Sequence, residues 1–188
     1  MPHQLVFFPD YRAANPYQTL LYAHSAPELH ARPASVAEAL ALRARQGPED
    51  GFLFHLHWED AAYRNEPDAA AAAAAAERFV ADLERLVETG AGLLWTVHNE
   101  APHDDRYPEV QARLRAALVQ LADLVHLHSL AAAGWAREAL GVPAERLVVV
   151  PHGNYLPRFH PKGGDPASSR AALGLEPDAR VALLFGRL

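Results

Sequence analysis

The feature that most constrains the fold is a set of short apolar runs that each end abruptly in a polar turn. The central one, residues 93–97, ends in His98 and Asn99 and is followed by the polar loop 102–105. Continuous apolar character over so few residues predicts a strand buried on both faces, as in a parallel sheet covered by helices. Because ligands collect beyond the carboxyl ends of such strands, we expect the chemistry near His98.

Strand and helix patterns alternate along the chain. The predicted strands are residues 5–8, 51–58, 93–97, 125–128, 146–150 and 181–185, with a short piece at 29–32. The predicted helices are residues 16–24, 35–45, 67–89, 108–124, 131–140 and 166–174. This alternation predicts an α/β fold, a Rossmann-like doubly wound parallel sheet with right-handed crossovers.

The composition of the chain changes after residue 156. Residues 157–165 form a Pro- and Gly-rich connection, and the apolar run 181–185 is the last predicted strand. We therefore expect one domain over residues 1–156, and over residues 157–188 a linker and the first strand of a second domain.

Charge and cysteine content narrow the function classes. The 188 residues carry a net charge of −6, from 17 basic and 23 acidic side chains, which argues against nucleic acid as the main partner. The absence of cysteine suits a reducing cytosol. The first residues lack the basic head and apolar core of a secretory signal. These features predict a cytoplasmic protein.

Histidines recur where the predicted strands end. Of the eleven histidines, the ones at or just beyond strand ends are His55, His57, His98, His126, His128 and His152. Since parallel strands bring their carboxyl ends to the same edge of a sheet, we expect these rings to cluster at one cleft.

Two His-x-His pairs leave a metal hydrolase open as a weaker alternative. Carboxylates that could join such imidazoles are Glu59, Asp60, Asp104 and Asp105. No compact multi-ligand motif is present, however, and same-face histidine pairs also follow from strand alternation. The chain also lacks a Gly-x-Ser-x-Gly elbow, a GxGxxG turn and a phosphate-binding P-loop.

Several segments taken together resemble a known enzyme family. They are FFPDYRAANPYQTLLY, FHLHW, WTVHNEAPHDD, VHLHS, VVVPHGNY and LLFGRL. In this order and spacing they resemble retaining glycosyltransferases of the GT-B fold, family-four type, and the resemblance covers almost the whole chain. That family transfers sugars from nucleotide diphosphate donors, often to polysaccharide or lipid-linked acceptors.

The resemblance implies a hexosyltransferase-type activity in polysaccharide biosynthesis, with a nucleotide diphosphate sugar as donor substrate and no metal or other cofactor. It implies that residues 1–156 are the acceptor-binding half. The lysine, paired glutamates and nucleotide pocket that follow in the family are not found by residue 188. A C-terminal domain or a second chain is therefore expected to complete the enzyme.

The resemblance also implies roles for individual residues. His98 matches the active-site histidine that hydrogen-bonds and positions the donor sugar. The matching acceptor-side residues are Asn15, Tyr17, Gln18, His103 and Asp104, and the donor-side residues are Gly153, Asn154, Gly186 and Arg187. An arginine at position 187 would suit the diphosphate, since its guanidinium can bind two oxygens at once.

Two further interpretations stay open. A non-catalytic Rossmann-like module that binds a sugar or a protein partner would show the same alternation. Acceptors in the family often lie at membranes, which makes the inner membrane face a candidate partner. Ordinary solvated faces, however, explain Arg78, Arg85, Arg113 and Arg115 better. The alanine tract 69–76 is likewise interpreted as an exposed helical face.

Overall fold

The computed structural model describes residues 3–23, 25–26, 28–47, 49–101, 106–155 and 165–182. The chain divides into two compact units, Met1–Gly153 and Asn154–Leu188. The first unit contains a six-stranded sheet in which every strand pair is parallel. Helices connect the strands, so the α/β, Rossmann-like doubly wound fold expected from the sequence is confirmed.

The sheet places its strands in the order β2-β1-β3-β4-β5-β6. Their bounds are β1 (His3–Phe8), β2 (Leu29–Pro33), β3 (Phe52–Leu56), β4 (Gly92–Thr96), β5 (Leu124–Leu127) and β6 (Leu147–Val149). The order reverses between β1 and β3. In open parallel sheets such a reversal opens a crevice at the carboxyl ends of the two strands.

The helices follow the predicted positions with shorter ends. They are α1 (Tyr17–Tyr22), α2 (Val36–Arg43), α3 (Ala69–Glu88), α4 (Pro108–Leu121), α5 (Leu130–Trp135) and α6 (Pro166–Ala172). A π-helical turn, Ala136–Leu140, continues α5, and short 3₁₀ turns cover Glu59–Ala62 and Ala144–Arg146. Differences of a few residues at helix ends are ordinary.

Side chains at the helix ends explain where the helices begin and stop. Ser35 and Glu38 form a reciprocal capping box before α2, in which the Glu38 amide donates to Ser35 Oγ and the Ser35 amide to Glu38 Oε2. Asp68 Oδ1 accepts the Ala71 amide at the start of α3. Gly90, at φ +81°, ends that helix in a conformation that glycine adopts without strain.

The alanine tract at the start of α3 is partly buried. Ala72 is 0% exposed and packs in the main core with Ala75 and Ala76. The interpretation of this tract as an exposed face is therefore wrong for the side of the helix that faces the sheet. Small side chains here let the helix lie close to its neighbours.

The two faces of the sheet differ in chemistry. Along β3 and β4, alternate residues Phe52, Phe54, Leu56, Leu93 and Trp95 belong to the main apolar core, which also holds side chains of α2, α3 and α4. We call this side the apolar face. Residues of the other parity include Leu53, His55, Leu94 and Thr96 and occupy the opposite side. Trp95 and Thr96, on opposite sides of β4, are each 0% exposed, so the expected burial of this strand on both faces is confirmed, with a hydroxyl group on the second face.

The second unit is described by α6 and the turns after it. Asp165 caps α6 by accepting the amides of Ala167 and Ser168, and Arg170 donates to the carbonyl oxygens of Glu176 and Ala179. Val181 and Ala182 are not in a strand. The rest of the predicted strand 181–185 lies outside the described residues. Among the described helices, none has the length and apolar character needed to cross a bilayer.

Candidate functional site

Histidine rings from β3, β4 and β5 and the turns after them lie side by side on the face opposite the apolar face. The ring centroids are 4.1 Å apart for His55 and His57, 5.3 Å for His57 and His98, and 5.4 Å for His98 and His128. His126 and His152 each contact His128, at 4.7 and 5.1 Å. The predicted clustering of these histidines is confirmed.

Helix α1 covers these rings, and its position comes from the loop after β1. Gln18 is fully buried, and its side chain accepts the Tyr11 amide and donates to the Pro9 carbonyl, at 2.8 and 2.7 Å. These bonds tie α1 to the end of β1. Tyr22 then stacks on Phe7 with ring centroids 4.7 Å apart.

A chain of hydrogen bonds runs through the histidine rings. Tyr22 Oη lies 2.8 Å from both His55 Nδ1 and His57 Nε2. Thr96 Oγ1 lies 2.7 Å from His55 Nε2 and 2.9 Å from His126 Nδ1. His126 Nε2 is 3.1 Å from the Val150 carbonyl oxygen, and His57 Nδ1 is 3.1 Å from His98 Nε2. We call Tyr22, His55, His57, Thr96, His98 and His126 the polar layer.

His98 is the member of the polar layer in which one ring nitrogen bonds no other described residue. Trp58 stacks on the ring, with centroids 3.9 Å apart and planes within 8°. Tyr17 meets it edge-on at 5.1 Å. Within the described part of the chain, His98 Nδ1 has no hydrogen-bond partner. The ring is therefore held in one orientation while one nitrogen remains available.

Burial keeps the histidines of the polar layer neutral. Desolvation, reinforced by neighbouring histidines, lowers the pKa of His98 and of His57 from 6.5 to about 2. The same causes lower the pKa of His55 to about 3. Burial also lowers the pKa of His126, although its bond to Val150 acts in the opposite direction. Desolvation raises the pKa of the Tyr22 hydroxyl, so it too is uncharged.

A buried ion pair on the apolar side supports the loop that follows β4. Arg115 Nε donates to Glu59 Oε1 at 2.6 Å, and both side chains are buried. The other guanidinium nitrogens donate to the backbone carbonyls of Asn99 and Glu100. The interpretation of Arg115 as a solvated surface residue is therefore wrong. Its role is to fix the backbone directly after His98.

The described residues provide no ready-made metal centre. Among them, no group of three or more His, Asp or Glu side chains lies close enough together to hold an ion. Glu59, one of the carboxylates considered from the sequence, is bound to Arg115 and also lies 3.4 Å from Trp95 Nε1. Asp104 and Asp105 lie outside the described residues.

The remaining predicted site residues lie beside the histidines, at the boundary of the two units, or outside the described chain. Asn15 Oδ1 accepts the amide of Tyr17, the first residue of α1, at 2.9 Å. Gly153 ends the first unit and Asn154 begins the second, and both are exposed. Four predicted residues lie outside the described part of the chain: His103, Asp104, Gly186 and Arg187.

Sequence reasoning missed Tyr22 and Thr96, which join the histidines to one another. The sequence did contain an indication for Thr96, because it lies two residues before His98 and therefore on the same side of the strand. Tyr22 lies on a short helix without a histidine, and only the tertiary structure shows that α1 lies over the rings. Arg115 could have been found, because it lies next to Leu114 and three residues before Leu118 in a helix whose buried side includes both.

No protein-family model matches the chain, and no curated protein sequence matches it either.

Proposed function

We propose that this chain is the acceptor-side domain of a retaining GT-B glycosyltransferase of family-four type. It would act in the transfer of a hexosyl group from a nucleotide diphosphate sugar to a saccharide or lipid-linked acceptor. The observation that supports this proposal best is the position and state of His98, the residue that the sequence resemblance assigns to the reacting sugar.

His98 has the properties that recognition of a sugar hydroxyl requires. It follows β4 at the carboxyl edge of the sheet, where ligands of open α/β sheets bind. Its pKa is lowered by burial to about 2, so the ring is neutral at physiological pH. One ring nitrogen is held by His57, and the other can exchange a hydrogen bond with a hydroxyl group.

The charge distribution near the polar layer favours the sugar over the diphosphate. The side chains of the polar layer are uncharged at physiological pH, because burial lowers the pKa of their histidines. Arg12, after β1, is paired with Asp10, and Arg115 is buried against Glu59. A departing diphosphate needs cations or helix N-termini, so we assign the phosphates to the second unit, with Gly186 and Arg187 as donor residues.

His98 acts in this proposal by positioning the sugar, not as a general base. An efficient general base has a pKa near the working pH, and a pKa of about 2 is far below it. The bond from the anomeric carbon to the diphosphate breaks on the face where the acceptor oxygen attacks, which retains the configuration. The acceptor proton then passes to the departing phosphate oxygen. We assign Asn15 and Tyr17 to the acceptor side; the Tyr17 and His98 ring centroids are 5.1 Å apart.

The test is calorimetric binding of nucleotide diphosphates, nucleotide sugars and simple glycosides, together with an assay for sugar transfer. Both are measured on this chain and on the chain followed by a nucleotide-sugar-binding domain. We expect transfer by the longer protein and a loss of about tenfold or more in kcat/KM for His98→Ala. His30→Ala, an exposed histidine of β2, is the matched control and should keep the activity.

Two results would contradict the proposal. Binding of a sugar without transfer by either protein would favour the non-catalytic sugar-binding module. Failure of both proteins to bind any nucleotide or sugar would remove the transferase interpretation altogether.

A further inference from the structure

The hydrogen bonds of the polar layer form one continuous path from His98 to the backbone of Val150. Its six links join His98 to His57, His57 to Tyr22, Tyr22 to His55, His55 to Thr96, Thr96 to His126, and His126 to the Val150 carbonyl. The donor–acceptor distances lie between 2.7 and 3.1 Å, normal for hydrogen bonds. The group that donates in one bond therefore determines which group donates in the next.

The Val150 end of the path sets its direction. A carbonyl oxygen can only accept, so His126 Nε2 must carry a hydrogen. In a neutral ring the other nitrogen then has none, and His126 Nδ1 accepts from the Thr96 hydroxyl. The single hydrogen of Thr96 is now used, so Thr96 Oγ1 accepts from His55 Nε2.

The far end of the path is fixed in the same way. His55 Nδ1 must accept, and its donor is the Tyr22 hydroxyl. Tyr22 Oη then accepts from His57 Nε2, which makes His57 Nδ1 the acceptor of a hydrogen from His98 Nε2. With neutral rings, only one arrangement satisfies all six bonds. It gives His55, His57, His98 and His126 the same Nε2–H tautomer.

We propose that Tyr22, Thr96 and His126 are positioning residues that fix His98 as the neutral Nε2–H tautomer, so that His98 Nδ1 accepts a hydrogen bond from a hydroxyl group of the bound sugar. The part that names the sugar hydroxyl rests on the function proposed above. The tautomer follows from the path and from the neutrality of its rings, without the proposed function. All three positioning residues act on His98 through intervening groups, Tyr22 through His57 alone and Thr96 and His126 through longer parts of the path.

The fixed tautomer makes the site selective for hydrogen-bond donors. A lone pair at His98 Nδ1 attracts a hydroxyl group, whereas a phosphate or carboxylate oxygen would meet it with lone pairs of its own. The stacking of Trp58 on His98 and the edge contact of Tyr17 prevent the ring from turning to offer another atom. The position facing Nδ1 should therefore take the hydroxyl-bearing part of a ligand.

His128 provides an internal comparison outside the path. Its Nδ1 lies 3.2 Å from the Val150 carbonyl, so this nitrogen carries the hydrogen and the ring has the opposite tautomer. Its Nε2 is buried and has no hydrogen-bond partner among the described residues. Changes to Tyr22 or Thr96 should leave the tautomer of His128 unchanged.

The decisive experiment is nitrogen-15 NMR of the histidine rings in the ligand-free chain, which distinguishes protonated from unprotonated ring nitrogens. We expect Nε2–H at His98 in the wild type. Thr96→Val removes the hydroxyl at nearly constant shape, and His98 should change to a mixture of tautomers. Thr96→Ser keeps the hydroxyl and should restore the Nε2–H form. An Nδ1–H tautomer at His98 in the wild type, or a His98 unaffected by Thr96→Val, would overturn the proposal.

A second arm of the experiment tests the ligand. Methyl α-D-glucopyranoside, UDP-glucose and GDP-mannose are added as hydroxyl-bearing probes, and inorganic pyrophosphate as a probe without a sugar. We expect at least one sugar probe to shift the His98 Nδ1 resonance and pyrophosphate to leave it unchanged. A shift with pyrophosphate alone would overturn the hydroxyl assignment.

If transfer is observed and no sugar probe shifts the His98 Nδ1 resonance, the hydroxyl assignment fails while the proposed function stands. If no probe binds and no transfer occurs, the proposed function fails. The tautomers measured in the ligand-free chain then still show whether the hydrogen-bond path is correct.

Discussion

The two faces of the central sheet are built from neighbouring residues of the same strands and have opposite chemistry. On β4, Trp95 is fully buried in the apolar core, and the adjacent Thr96 joins two histidines on the other side. On β3, Leu56 belongs to the core, while His55 and the next residue of that side, His57, contact Tyr22. Strand alternation thus separates, over a few ångströms, a face that stabilises the fold from one that can do chemistry.

The comparison shows two ways of burying polar groups. Behind the apolar face, Glu59 and Arg115 are buried as an ion pair that fixes backbone carbonyls. In the polar layer the groups are neutral, and each one forms a hydrogen bond with the next. Neutral groups avoid the large desolvation cost of buried charge, so their layer can adjoin a ligand site.

Acid should produce the largest difference between the two faces. The pKa values of His55, His57 and His98 are about 3, 2 and 2 in the folded protein, below the ordinary 6.5. Below about pH 6.5 the unfolded chain therefore binds more protons, and stability falls as the pH falls. The slope should reach about 1.4 kcal/mol per pH unit for each ring.

Urea unfolding at several pH values measures this dependence of stability on pH. His55→Gln removes one of these rings and should reduce the slope by about 1.4 kcal/mol per pH unit. An unfolding midpoint that stays constant from pH 7 to 5 would contradict the prediction.

Breaking the buried ion pair should have the next largest effect. Arg115→Met leaves the carboxylate of Glu59 buried without its cation, and we expect a loss of about 3–5 kcal/mol in the free energy of unfolding. The double variant Glu59→Leu with Arg115→Met removes both charges and is the control. It should recover a large part of the loss. If the single variant unfolds at the same urea concentration as the wild type, the pair is not structural.

A matched pair of substitutions on β4 compares the two faces directly. Leu93→Ala opens a cavity in the apolar core and should cost about 2–5 kcal/mol, with the His98 tautomer unchanged. Thr96→Val leaves His55 Nε2 and His126 Nδ1 without a partner and should cost about 1–3 kcal/mol, with the His98 tautomer altered. Urea unfolding and nitrogen-15 NMR on both variants provide the test. A larger tautomer change in Leu93→Ala would mean that packing, and not the path, controls His98.

The fold and the grouping of the histidines could be predicted from the sequence, because both follow from local patterns. Apolar runs and their polar ends locate the strands, and parallel strands bring His55, His98 and His128 to one edge. The links between the rings could not be predicted. They depend on where the short helix α1 lies over the sheet, which is a tertiary property. The burial of Ala72 also depends on the tertiary structure, because alanine is common on both exposed and buried helical faces.

The most direct test of the account is the protonation state of His98 as a function of pH. The nitrogen-15 signals of His98, assigned by their loss in His98→Ala, are followed from pH 8 down to the pH at which near-ultraviolet circular dichroism shows unfolding. Because the pKa of this ring is about 2, we predict a neutral Nε2–H ring over the whole range. Uptake of a second proton with a midpoint near pH 6.5 in the folded protein would show that His98 is not a neutral acceptor.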